Sequence, residues 1–315
     1  MSDFHRRGIH NDTLCKELKS GSLKPLVELV KTNDDLVLQI RDNYLNVYYQ
    51  GGNVAKVNSP KSVEFDENYF RTHENKSDEN WEEIKKERKD TISLFKEGRF
   101  TEYIDKVKSA MKIYWDDVLK GKGVAEKKAQ HQICLLNDSH ADYTVIDLEY
   151  QVSKKSKFRY QGKRRTQKGG LPSPRFDIVA IRNSDHRLCV IELKKGTKAL
   201  KDPSGVQEHA ESYANTIGYN KQTKKSFTDE MDGVVKMLQD LKLLDKKLYI
   251  DSSLEPEFIF AYQYKLDDKD KDENVLDFNM QKKSFKDFQN SRKMNNFAKD
   301  KKVIWLDDEC YLLKD

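Results

Sequence analysis

An α/β protein is predicted: a mixed β-sheet flanked by helices, preceded by a small antiparallel β module and a helical connector. Three observations carry that expectation. Two short apolar runs rich in branched residues, 174–181 and 188–195, flank Arg182-Asn183-Ser184-Asp185-His186 and read as a hairpin. Apolar residues recur every three or four positions through 81–119 and 124–136, the helical period. Between residues 36 and 57, three strand-like stretches are divided by Asp42-Asn43 and Gly51-Gly52-Asn53, residues that tolerate the positive backbone angles of tight hairpins.

Composition bounds the function. With 315 residues the chain has length for two domains, or for one with an elaborated end. Apolar content of 37% and charged content of 35% predict a highly solvated protein. The 58 Lys and Arg against 53 acidic residues leave a net charge of +5, so only a local concentration of charge can point to nucleic acid. No run approaches the roughly eighteen apolar residues of a membrane span. The opening Met-Ser-Asp-Phe-His-Arg-Arg-Gly lacks the apolar core of a signal peptide. A cytoplasmic location with no membrane partner is therefore expected. Cys15, Cys134, Cys189 and Cys310 show no CxxC spacing and read as reduced, buried thiols.

In chain order, residues 1–20 are polar and expected to be loosely held. A short helix over Leu26, Leu29 and Val30 leads into the meander, which should end near Phe70. Residues 1–70 thus form the β-rich module and 71–122 the connector. Within the connector, one helix starts at Trp81 and breaks at Gly98, and another runs from Tyr103 to Leu119. The remaining 123–315 form the mixed-sheet domain. Its first helix, Val124–Leu136, carries Glu126, Gln130 and Cys134 on one face. Tyr143–Val152 is the first strand, with Asp147, Glu149 and Gln151 alternating against Ile146, Leu148, Tyr150 and Val152. After Lys195, Asp202-Pro203 caps a helix with a Val206, Ala210, Tyr213 stripe, and a further helix follows Thr228. Two last strands, in 257–264 and 303–306, surround a charged helix near Ser284–Phe297.

The chemistry concentrates in the hairpin. Asp177 sits where the first run enters the core, and Glu192 and Lys194 interrupt the end of the second. Strand alternation puts Glu192 and Lys194 on one face and Leu193 on the other. Two carboxylates and an ammonium at the edge of an apolar sheet are costly unless they bind something. A divalent cation held by Asp177 and Glu192, with Lys194 beside it, relieves that cost. Just upstream, residues 154–168 contain Lys163, Arg164, Arg165 and Lys168 among eight basic residues and no acidic one, with Phe158 and Tyr160 interleaved. A polyanion passing the cation would meet this loop.

The pattern Pro174-x-x-Asp177, fourteen intervening residues, then Glu192-Leu193-Lys194 resembles the PD-(D/E)xK nuclease superfamily, whose members share the restriction-endonuclease-like fold. The resemblance covers about half of the chain and leaves residues 1–120 outside it. It implies Mg2+, replaceable by Mn2+, held by Asp177, Glu192 and the backbone carbonyl of Leu193. Lys194 would orient or activate the attacking water. Glu126 matches the glutamate that the helix before the first core strand often turns to the metal, with Gln130 one turn on as a substrate contact. Gln207 and Tyr213 loosely resemble a Gln-x-x-x-Tyr helix of the exonuclease branch, but their spacing is two residues too long, so that branch's activity is not carried over.

The expectation is metal-dependent hydrolysis of nucleic acid by an endonuclease, DNA ahead of RNA, with anti-phage defence or restriction as roles implied by the resemblance alone. A catalytically silent nucleic-acid-binding subunit and a protein-interaction adaptor remain open. The N-terminal module could serve a homodimer or a partner protein. Asp268-Lys-Asp-Lys-Asp opens like an EF-hand loop, but Glu273 replaces the required glycine and Asn279 the closing glutamate, so it reads as a solvated loop. No P-loop follows Gly121-Lys122 or Gly162-Lys163.

Overall fold

The computed structural model describes residues 7–71, 81–121, 123–152, 174–200, 205–270, 272–291, 296–307 and 310–315. The protein is mixed α/β, with one antiparallel and one mixed sheet. It divides into two compact units, 7–135 with 233–246, and 136–232 with 247–315. Among the described residues no helix is long and apolar enough to cross a membrane.

The first unit opens with α1 (Asp12–Ser20) and α2 (Lys24–Lys31). Asn11 caps α1, its side chain accepting from the backbone of Thr13 and Leu14. The stretch expected to be loosely held is therefore in part a packed helix. Its buried face is only Leu14 and Leu18, too few for periodicity to reveal. β1 (Leu36–Ile40), β2 (Leu45–Tyr49), β3 (Gly52–Ser59) and β4 (Ser62–Glu64) form the expected antiparallel meander in that order. Asn43 and Gly51 take positive φ at its turns, 57° and 81°. A Cβ on Gly52 would stand 2.1 Å from the Met111 sulfur, so this glycine is required by close packing.

Helices α3 (Trp81–Lys96), α4 (Phe100–Ile113) and α5 (Ala125–Leu136) follow in this unit. The Tyr103 hydroxyl donates to the Val54 carbonyl at 2.9 Å and ties α4 to β3. The helix expected to continue to Leu119 loosens after Ile113 into a π-helical turn, Tyr114–Val118, that buries Trp115.

The second unit holds β5 (Tyr143–Gln151), β6 (Arg175–Arg182), β7 (Arg187–Lys195), α6 (Val206–Ala214), α7 (Lys221–Asp240, as far as Asp232), β8 (Glu257–Gln263), α8 (Phe278–Gln289), α9 (Asn296–Lys299) and β9 (Val303–Leu306). The strands lie in the order β5-β6-β7-β8-β9. β5, β6 and β7 are antiparallel neighbours, while β8 and β9 run parallel to β7. The predicted hairpin is β6–β7. Arg182 donates to both oxygens of Asp185 at 3.0 and 2.8 Å, and Asp185 also accepts from the Arg187 backbone at 3.1 Å. With His186 at φ 59°, these bonds close the turn. A parallel β7–β8 pair needs a crossover, which α6 and α7 supply.

Several boundaries differ from the sequence-based expectation. α7 starts at Lys221, ahead of Thr228, because its first turn is polar. The charged helix lies at 278–289, capped by Asp277, whose carboxylate accepts from the Met280 backbone at 2.8 Å. The residue at the cap of α6 is Gly205, whereas Asp202-Pro203 lies outside the described residues. Asp268, expected in a solvated loop, is buried and accepts from the backbone and hydroxyl of Thr197 at 2.5 and 2.6 Å. The start of the 3-10 helix Thr197–Leu200 supplies those donors, and a partner that distant in sequence leaves no local signal. All four cysteines are free thiols, but only Cys189 is buried, whereas Cys15, Cys134 and Cys310 are half-buried.

An aromatic cluster locks α8 to the sheet. The Phe285 ring lies 6.0 Å from Phe260, 5.3 Å from Tyr262 and 5.5 Å from Trp305. Phe285→Ala removes the shared member and should lower stability by about 3–5 kcal/mol, measured by urea denaturation.

Candidate functional site

The site is built by the β6–β7 register. Ile178 pairs with Ile191, so the next residue on each strand, Asp177 and Glu192, stands across the hairpin on the opposite sheet face from those isoleucines. Lys194 follows two residues on and shares that face. All three are enclosed, at 9%, 1% and 6% exposure. Lys194 Nζ donates to Glu192 Oε1 at 2.9 Å, and Asp177 Oδ2 accepts from the Leu193 backbone at 2.8 Å. The three residues read from the motif, and Leu193 between them, are thus gathered at one end of the hairpin.

A fourth group was missed. His209 of α6 places Nδ1 2.8 Å from the same Oε1 of Glu192. A ring nitrogen facing a carboxylate oxygen at that distance is the donor, so Nδ1 carries the hydrogen. The sequence held a signal for it. His209 is three residues after Val206 and four before Tyr213, on the buried stripe of α6, where a polar side chain calls for a partner. Asp147 was also passed over. It pairs with Val179, two residues from Asp177 on β6, and is fully buried on the Asp177 face. A register shift between Val145 and Asp147 accompanies it.

The electrostatics favour an ionised Glu192. Burial pushes its carboxyl up, but attraction to Lys194 and His209 and their hydrogen bonds outweigh that and hold it at about 2. Its second oxygen, Oε2, is buried and meets no hydrogen-bond partner among the described residues. A bare, buried, negatively charged oxygen calls for a cation. Among the described residues no group of three or more His, Cys, Asp and Glu side chains could hold a metal. Two carboxylates do suit Mg2+, which keeps several waters and takes one or two protein carboxylates.

Gln207 donates along α6 to Glu211 at 2.8 Å. Glu126 is exposed in the first unit, where its carboxylate accepts from Gln130 at 3.4 Å. Lys163, Arg164, Arg165 and Lys168 lie outside the described residues. Comparison with protein-family models, with curated proteins and with solved structures gave no match.

The buried cluster sets two measurable properties. Lys194→Met leaves Glu192 with one partner fewer and should destabilise the protein by about 3 kcal/mol in urea denaturation without divalent cations. The Glu192 carboxyl sits below its ordinary 4.5, so it contributes stability that is complete above that pH and is lost as pH falls toward 2. Between pH 5 and 2, wild type should therefore lose stability more steeply than Glu192→Gln, measured as denaturation midpoints across that range.

Proposed function

We propose that this protein is a Mg2+-dependent nuclease that hydrolyses phosphodiester bonds within nucleic acid, DNA ahead of RNA, on a restriction-endonuclease-like sheet. The observation that carries this reading is the ionised Glu192 with its bare buried Oε2, set across the hairpin from Asp177 and bonded to Lys194. The chain order of α5, three antiparallel strands and α6 supports it. Two carboxylates and a lysine gathered at one strand end go beyond what a binding module or an adaptor requires.

Asp177 and Glu192 would hold the ion, with the Leu193 backbone beside them. Mg2+ in that place would polarise a phosphoryl oxygen and lower the pKa of its water. Lys194 keeps a positive charge next to the reacting phosphate and orients the nucleophile in line. The β6–β7 turn holds these groups in one register, so little reorganisation is left to the reaction. Gln207 contributes from α6, and Glu126 and Gln130 are carried into this reading from the motif resemblance. The Lys163, Arg164, Arg165 and Lys168 loop draws the phosphate backbone in.

Wild type and Asp177→Ala, incubated with supercoiled plasmid and with single-stranded DNA, test the reading. Cutting should require Mg2+ or Mn2+, stop in EDTA, and fall by at least roughly 10²–10³-fold in the variant. DNA binding without cutting by both proteins would favour the silent binding subunit, and neither binding nor cutting would remove the DNA assignment. Neutralising Lys163, Arg164 and Arg165 together should weaken DNA binding across sequences and lower the salt slope by about 1 for each phosphate no longer neutralised, read by fluorescence anisotropy.

A further inference from the structure

The Glu192 carboxylate is divided. One oxygen, Oε1, takes two donors, Lys194 Nζ at 2.9 Å and His209 Nδ1 at 2.8 Å. The other, Oε2, is buried with no hydrogen-bond partner among the described residues. A carboxylate free to rotate would spread two donors over its two oxygens, so two on one oxygen fix its plane. The donors also come from different elements, Lys194 from β7 and His209 from α6, and together they resist rotation about the last side-chain torsion.

We propose that His209 is a positioning residue of this site: with Lys194 it pins Oε1 of Glu192, so that Oε2 is the atom presented to the divalent cation. This rests on the nuclease reading above. His209 does not itself reach the cation in this assignment. It acts through Glu192, as groups behind a metal's carboxylate ligands commonly do, and losing such a group weakens metal affinity by about 10–100-fold. The ring is 22% exposed, against 2% for the Glu192 side chain it holds.

The geometry requires a donor at the Nδ1 position and nowhere else on the ring, which makes a paired substitution decisive. In His209→Asn the amide nitrogen falls near the place of Nδ1. In His209→Gln it falls near that of Nε2. Mn2+ binding to the full-length chain, followed by electron paramagnetic resonance of the free ion, reads the result without catalysis. Far-UV circular dichroism and the melting temperature in EDTA check folding of both variants. His209→Asn should keep Mn2+ affinity within about threefold of wild type, while His209→Gln should lose about 10–100-fold. In plasmid cutting, His209→Gln should need correspondingly more Mg2+ and approach the wild-type rate at saturation. Equal affinity in the two variants, whether kept or lost, overturns the positioning role and leaves the nuclease reading standing. Loss in His209→Asn with retention in His209→Gln overturns it as well. Absence of Mn2+ binding by wild type removes the nuclease reading, and this assignment with it.

Discussion

The second unit is arranged around one carboxylate enclosed in the middle strand of its sheet. Glu192 has hydrogen-bonded strands on either side of β7, and its register partner on β8 is Phe260, followed by Tyr262 beside Lys194. A charge there is stable only if opposite charge and donors come with it. Lys194 arrives from the same strand two residues on, and His209 from the helix that follows. The low dielectric that penalises the isolated charge also strengthens both attractions, which is why the carboxyl stays ionised.

That arrangement tolerates no slip in the β6–β7 hairpin. A shift of one residue would turn Glu192 and Lys194 to the face now held by Ile191 and Leu193, and would part Asp177 from Glu192. The Arg182–Asp185 pair and the left-handed His186 fix the turn at the far end of the hairpin. The Asp177 bond to the Leu193 backbone fixes the near end. Between them, the turn chemistry and the site chemistry enforce one register.

What was legible follows the range of each signal. The hairpin, the meander and the Asp177, Glu192, Lys194 trio are local patterns, set by strand alternation and turn residues within a few positions. α1 escaped because two leucines make no period, and Asp268 because its donors are at Thr197. His209 escaped for a different reason. Its place on the inner stripe of α6 was visible, but its partner is seventeen positions back on β7, and the motif drew attention to Gln207 instead, which the structure bonds to Glu211.

The sequence by itself determined where the five strands of the second unit lie, the hairpin that joins β6 to β7, and the identity of the three charged groups set into that hairpin. These depend on period, turn chemistry and desolvation, which act along the chain. Only the tertiary structure decided that β8 and β9 pair parallel to β7, that Asp147 is buried on the Asp177 face, and that His209 and Lys194 converge on one oxygen of Glu192 while the other stays bare. Those outcomes depend on pairing and packing between residues far apart in sequence, which no local pattern records.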